Sequence, residues 1–350
     1  MPKATLKSVE TKWGSIEGLP IIIVYVVLIG AFIITAPGTF LKYRIYQAFM
    51  STVPPPLVLA LGLTLIVTAG EIDLSFPAII TFSGFLYSSL YTITGNTFFP
   101  FIVAIIGGLV VGFVNGILVA KIGMPSIIAT LGSQFFWGGL TVLLSGGLAW
   151  NIREIRGEFI HTFFAGRLGG TLPVQMLWAL GVAIVLWFLL NRHRFGEQIL
   201  FIGDNMSVAQ VLGVNVAVTK IKIFTVMGGL SAFAAILLTL EMTTYWTTQG
   251  SGYLLVVMAS VFIGGTSIFG GEGTIIGTLF GSFIVGSIEA GIVASGLGGY
   301  WTRLVVGLVL IIAVILNITI GKSRNQGGAS FSKSVFLKGV GTKGEEGGSV

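Results

Sequence analysis

The sequence contains no cysteine and two histidines, and Asp, Glu, Lys and Arg together make up 9% of its 350 residues. Without cysteine there is neither a disulfide nor a thiolate metal site. His161 and His193 are separated by a whole apolar segment. They offer no cluster for zinc and read as solvated loop residues. Phosphate-binding loops are also missing. GKS at 321–323 ends like a Walker A loop, but Leu316 stands where that motif requires a glycine. GGEGTIIG at 270–277 misses the dinucleotide fingerprint, and its surroundings are apolar helix rather than a βαβ unit. The chain is therefore expected to bind no ATP, metal or other cofactor of its own and to catalyse no reaction.

What is abundant is apolar surface: 54% of the residues are hydrophobic, and the mean hydropathy is +0.97. Uninterrupted apolar runs match the roughly 20 residues that a helix needs to cross a bilayer. Runs such as LVVGLVLIIAVIL at 304–316 do not alternate as the strands of a membrane barrel would. The fold class expected is an all-α membrane protein with about ten spans, near 19–36, 57–70, 77–94, 99–120, 127–146, 174–191, 221–240, 254–264, 274–294 and 300–320. The first run follows Lys3, Lys7 and Lys12, but it is long for a signal peptide and no A-x-A-like site follows it. It reads as an uncleaved span.

Charge then orients the chain. With both ends in the cytoplasm, thirteen of the 19 Lys and Arg residues fall on the cytoplasmic side, among them Lys121, Arg192, Arg194, Lys220 and Lys222. This agrees with the positive-inside rule. The net charge of +6 is then a matter of membrane orientation, and no nucleic-acid partner is implied. The parts expected are a cytoplasmic segment 1–18, a membrane domain 19–320 and a disordered tail 321–350 rich in Gly, Ser and Lys. Within the membrane domain lie a cytoplasmic connection at 192–222 and an exterior one at 147–173.

Two spans, 57–70 and 254–264, are short, and each runs into a glycine-bearing acidic turn, GEIDLS at 70–75 and GGEG at 270–273. Such segments are the sequence sign of broken membrane helices. Gly70, Gly270, Gly271 and Gly273 are expected to break the helices, and Asp73 and Glu272 to cap their restarts. Gly108, Gly112 and Gly116, like Gly273, Gly277 and Gly281, recur every four residues and form small faces for close helix packing. Polar groups at membrane depth are candidates for a pathway: Glu71, Asn115 and Gln134 foremost, with Glu241 and Glu289. Amides could hydrogen-bond a hydroxyl-rich solute or equally tie two helices together. Arg303, beside Tyr300 and Trp301, is placed to snorkel to the outer interface.

The connection RHRFGEQILFIGDNMSVAQVLGVNVAVTKIK at 192–222 contains Asp204-Asn205 and then Gly213. The pattern predicts a short amphipathic helix behind an Asp/Asn cap, ended by Gly213, on the cytoplasmic face. Arg194-Phe195-Gly196, Gly203-x-Asn205 and the glycine eight residues on resemble the coupling loop of permease subunits in ATP-binding-cassette importers of monosaccharides, the ribose, xylose and galactose type. GEIDLS, VNGILVAKIGMPSIIATLG at 114–132 and GGTSIFGGEGTIIGTLFGS at 264–282 resemble three further blocks of that family, in the family's order.

The resemblance implies a permease that pairs with a like or paralogous chain, as homodimer or heterodimer, in the lipid bilayer of a bacterial inner membrane. It implies a periplasmic or lipid-anchored sugar-binding protein, and a separate ATPase subunit, carrying ATP and Mg, that grips Asp204, Asn205, Ala209 and Gly213. Met206-Ser207-Val208 departs from the family's usual acidic residue and two alanines. The exterior stretch, with Arg153, Glu154, Arg156 and Glu158, is either a docking surface for the binding protein or a solvated connector. Rival readings are an importer of the same build for nucleosides, branched-chain amino acids or a signalling sugar, and an ion-coupled carrier. The carrier would bring acidic residues into more of its spans than are found here.

Overall fold

The computed structural model of the protein describes residues 18–294, 300–315 and 318. The tail at 321–350 and all but the last residue of the segment 1–18 lie outside the described residues. The helices run in order α1 (Leu19–Thr35), α2 (Pro37–Phe40), α3 (Tyr43–Thr52), α4 (Pro54–Thr68), α5 (Phe76–Thr94), α6 (Phe98–Ala120) and α7 (Ser126–Ser145). They continue as α8 (Phe159–Ala165), α9 (Val174–Arg192), α10 (Arg194–Asp204), α11 (Met206–Val211), α12 (Val216–Met242), α13 (Tyr253–Ile263), α14 (Ile275–Ala294) and α15 (Tyr300–Ile315). Four two-residue strands pair off: β1 (Trp150–Asn151) with β4 (Thr244–Tyr245), and β2 (Arg167–Leu168) with β3 (Leu172–Pro173), both antiparallel.

A helix stands in every apolar stretch named from the sequence, but by length and composition the described residues hold six that can cross a membrane unaided. The count is seven if α3 and α4, bent by 49° at Val53, form one span, and α1, α13 and α15 are shorter apolar helices. The span expected from 57 begins at Pro54, because three prolines open the helix. Their missing N–H groups belong to the first turn, which has no intrahelical acceptor anyway.

Helix α4 is buried along its whole length and forms the axis of the bundle, with α9, α12, α13 and α14 around it. The longest helix, α12, packs on α6 with backbones touching. A Cβ built at Gly108 would lie 2.5 Å from the Gly228 carbonyl oxygen, and one at Gly112 would lie 2.3 Å from that of Phe224. The second glycine stripe does the same between α13 and α14: a Cβ at Gly277 would meet the Gly264 carbonyl at 1.9 Å, and one at Gly281 that of Ser260 at 2.2 Å. In lipid, where apolar burial gives helices little reason to associate, such close approach lets dispersion hold them together.

The connection at 192–222 is more structured than the sequence suggested. It holds α10 as well as the short α11, and α12 starts at Val216 rather than 221, capped by Asn215, whose Oδ1 accepts from the Val218 N–H at 3.1 Å. Lys220 and Lys222 therefore belong to a helix. At the other end of the bundle the stretch 147–173 is a packed cap. Ile152, Ile155, Ile160 and Phe164 are buried, and the Phe164 ring lies 5.1 Å from that of Trp178 on α9. Arg153 and Arg156 stay exposed on top of it.

Candidate functional site

The three glycine-bearing segments singled out in the sequence meet at one place. The last turn of α10 enters between the end of α4 and the loop that precedes α14, so closely that a Cβ at Gly203 would lie 1.8 Å from the Thr68 carbonyl oxygen and 2.4 Å from the Gly271 nitrogen. Gly271 N–H donates to that same Thr68 carbonyl at 2.9 Å. Gly70 and Gly270 close the contact: a Cβ at Gly270 would stand 2.9 Å from the Gly70 Cα and from the Gly203 carbonyl. Gly70, Gly270 and Gly271 all have positive φ, 77°, 83° and 76°, which glycine alone adopts without strain. Gly273 contributes space too, since a Cβ there would fall 1.9 Å from Thr68 Oγ1. Backbone against backbone leaves no side chain to yield, so a displacement of α10 is passed directly to both breaks.

Past the junction, Asn205 caps α11: its Oδ1 accepts from Ser207 N–H at 3.0 Å and Val208 N–H at 3.1 Å. Ala209 is buried beneath the helix, and Gly213, at φ 82°, ends it. Met206, Val208, Val211 and Leu212 are exposed on α11, in keeping with the sequence's departure from the family's acidic residue at 206–208. Gly196 lets α10 turn back against α9, where a Cβ would meet the Leu190 carbonyl at 2.0 Å, and Arg194 is exposed beside it.

Glu71, a pathway candidate from the sequence, is occupied otherwise. Its carboxylate pairs with the Lys220 ammonium, their side chains 13% and 8% exposed, which ties the first break to α12. Asn115 donates from Nδ2 to Ser75 Oγ at 2.8 Å, and Gln134 Oε1 accepts from the Ala78 N–H at 2.8 Å. Both amides thus tie helices, the second of the two readings open at the sequence level.

Asp73 is fully buried and does not sit at the cap position of α5, which Ser75 occupies. Its Oδ1 accepts from the Ser75 backbone N–H at 2.7 Å and from Ser75 Oγ at 2.6 Å, closing the turn one step earlier. Residues 71–75 carry no regular secondary structure and α5 begins only at Phe76, so Asp73 reaches Ser75 rather than the helix. At the second break Thr274 Oγ1 accepts from the first turn of α14, at Gly277 N–H, 3.0 Å.

Sequence reasoning missed the scaffold of the first break. Ser126, Thr130 and Gln134 stand every fourth residue on α7. Their side-chain oxygens accept in turn from the N–H groups of Ile72 (3.1 Å), Leu74 (3.0 Å) and Ala78. Three polar positions spaced four residues apart along an apolar helix were the available signal, since that spacing puts all three on one face. Unsatisfied backbone is costly in lipid, and this stripe satisfies it.

At the opposite end a polar cavity of about 410 Å³ is lined by Arg156, His161, Arg167 and Glu241. Arg167 pairs with Glu241, which also accepts from Gln175 Nε2 at 2.7 Å, and Arg156 reaches Thr243 Oγ1 at 3.4 Å. Partial burial, helped by Arg156, holds the His161 imidazole below its ordinary pKa, so it is neutral at neutral pH and the arginines set the sign of the cavity. Among the described residues there is no group of three or more His, Cys, Asp or Glu that could hold a metal ion.

Comparison with known proteins places this geometry in context. The family model described as branched-chain amino acid transport system / permease component matches residues 45–314. The chain is 31% identical to the ribose import permease protein RbsC of Escherichia coli strain K12 over 263 residues, 74% of this chain and 81% of that protein. It is 33% identical to the D-allose transport system permease protein AlsC of the same strain, over 73% of this chain and 78% of that one. To the L-arabinose ABC transporter permease protein AraH of Azospirillum brasilense it is 31% identical over 87% and 88%. No solved structure matches the chain.

Proposed function

Because the chain belongs to the family of branched-chain amino acid transport system permease components, we propose that it works as the membrane-spanning permease subunit of an ATP-binding-cassette importer whose cargo is a monosaccharide. The cargo follows from the relatives, whose names specify ribose, D-allose and L-arabinose. The single observation that carries the coupling part of this reading is the junction at Gly203. A helix on one end of the bundle is wedged between two helix breaks, which is the arrangement needed to turn a push from outside the membrane into movement within it.

In this reading the membrane domain crosses the bilayer ten times in a bacterial inner membrane, with α10, α11 and both chain ends in the cytoplasm. Positive charge supports that orientation. The ATPase subunit, which holds ATP and Mg, grips α10 and α11 around Asp204, Asn205, Ala209 and Gly213. The exposed Met206, Val208 and Val211 make that contact apolar rather than charge-based. The permease needs no nucleotide loop of its own. A second permease chain, alike or paralogous, completes the pathway.

The sugar-binding protein docks at the other end, on the cap at 147–173. Changing Arg153 and Arg156 together to Glu is expected to weaken its binding to the reconstituted permease by roughly 10- to 100-fold and to slow association most at low salt. Titration of the binding protein against ATP-hydrolysis rate reads this directly, and an unchanged half-saturating concentration removes the cap from the docking surface.

The test of the whole reading is gentle purification of the tagged chain from its native membrane, with mass spectrometry of what accompanies it. A stoichiometric soluble subunit bearing a P-loop, lost when Asn205 and Gly213 are both replaced by alanine, is the expected result. A chain that comes out alone and moves solute in liposomes without ATP is a secondary carrier instead.

A further inference from the structure

A cavity of about 360 Å³ opens between α13 and α15, with Leu74, Gly252, Leu254, Thr302, Arg303 and Val306 in its wall. The geometry points to this cavity as the place where the protomer touches the solute in transit, a neutral polyhydroxylated monosaccharide, and it rests on the importer reading above.

The first reason is Arg303. It lies exposed on an apolar helix, and the ion pairs among the described residues, Arg167 with Glu241 and Lys220 with Glu71, do not include it. Its place is beside the first turn of α13, in the same wall as Thr302 and Val306. A guanidinium there is costly against lipid and is tolerated where it meets water or a polar solute.

The second reason is the backbone opposite it. From β4, which is held to β1 at the capped end, the chain turns back into the bundle. A Cβ at Gly250 would lie 2.0 Å from the Pro77 carbonyl in the first turn of α5, and Ser251 and Gly252 are exposed. The 11 residues of α13 then rise about 16 Å, half a hydrocarbon thickness, before Gly264. Irregular backbone at that depth does not face lipid; it is covered by protein or lines water.

The third reason is mechanical. Both walls hang on the coupling junction. The break at 70–75 touches α10 through Gly70 and the cavity through Leu74, and α13 lines the cavity at one end while its other end runs into the loop that holds Gly270 and Gly271. Motion of α10 therefore reaches the cavity through the five non-helical residues from Gly70 to Leu74 on one side and a single short helix on the other. Five fixed guanidinium donors and the Thr302 hydroxyl suit sugar hydroxyls, while aliphatic walls hold the solute weakly enough to let it leave.

The absence of native cysteine makes each introduced one the only thiol in the chain. Thr302→Cys, Leu254→Cys and, as a control on another face of α15, Leu308→Cys are reconstituted with the ATPase and the binding protein and treated with a membrane-impermeant methanethiosulfonate. Thr302→Cys and Leu254→Cys are expected to react at least about tenfold faster than Leu308→Cys, with loss of uptake on modification and protection during sugar turnover. Arg303→Leu is expected to lower uptake about tenfold, with Arg303→Lys between it and the wild type. Thiols at 302 and 254 as unreactive as that at 308, in a complex whose wild type takes up sugar, overturn the site alone. A wild-type complex that takes up no monosaccharide overturns the importer reading and the ligand assigned here, whatever the labelling.

Discussion

Alanine at Gly203 is expected to bring ATP-driven uptake to background and to separate the chain from its ATPase on purification. The added methyl would lie 1.8 Å from the Thr68 carbonyl oxygen and 2.4 Å from the Gly271 nitrogen, well inside contact. Overpacking against side chains costs about 1–3 kcal/mol because they change rotamer. Here both neighbours are backbone, one of them hydrogen-bonded to the other: Thr68 ends α4, and Gly271 lies in a break held at positive φ. Relief requires α10 to move out of the junction, so the effect falls on coupling first and on stability second.

The comparison is Gly132→Ala on α7, where a Cβ meets nothing within 4 Å and which should be neutral or stabilising by about 0.5–1 kcal/mol. Thermal unfolding in detergent, ATPase retention and uptake are measured side by side. Wild-type uptake by Gly203→Ala, with the ATPase retained, would falsify the junction as the coupling point.

Replacing Lys220 by Met is expected to destabilise the protein by about 3–5 kcal/mol, because it leaves the Glu71 carboxylate charged, nearly buried and without its cation. The two side chains are 8% and 13% exposed, so little water is present to screen or replace the pair. The loss should be smaller when Glu71→Gln is added, since no unpaired charge then remains, and the charge swap Glu71→Lys with Lys220→Glu should recover part of the stability. A double-mutant cycle in denaturant separates the pairwise term from the two single costs. Uptake is expected to fall with stability in Lys220→Met and to recover only partly in the swap, because the pair also sets where the first break stands relative to α12. A loss under about 1 kcal/mol in Lys220→Met would mean that water reaches Glu71 and that the pair is a surface contact.

Much of this molecule is determined by local sequence. Composition alone makes it an all-α membrane protein, since long apolar runs without alternation leave the backbone no partner but itself. The glycine stripes at 108–116 and 273–281 place close helix contacts, because a repeat of four puts small residues on one face whatever lies opposite. Asn205 and Gly213 bound α11 through contacts with their own neighbours, and the sequence needs no further information to specify them. Positions 70–75 and 270–273 read as breaks for the same reason: glycine and acidic turn residues act within a few positions.

What lies opposite each of these was decided only by the tertiary structure. Nothing in GEIDLS says that its amides end on Ser126 and Thr130, nor that Glu71 takes a lysine 149 residues away. Asp73 read as a helix cap because an acid before a helix usually is one, and the non-helical break before α5 gave it Ser75 instead. Asn115 and Gln134 read as pathway residues because an amide at membrane depth is compatible with a solute or a neighbouring helix, and only the packing of α5 against α6 and α7 chooses between them. That Arg303 lines a cavity with the first turn of α13 likewise depends on how α13 and α15 pack, which no local segment states. Capping, breaking and periodicity are local and so are written in the chain. Pairing across the bundle depends on which helices become neighbours, and that is settled by the sum of many weak contacts that no single segment carries.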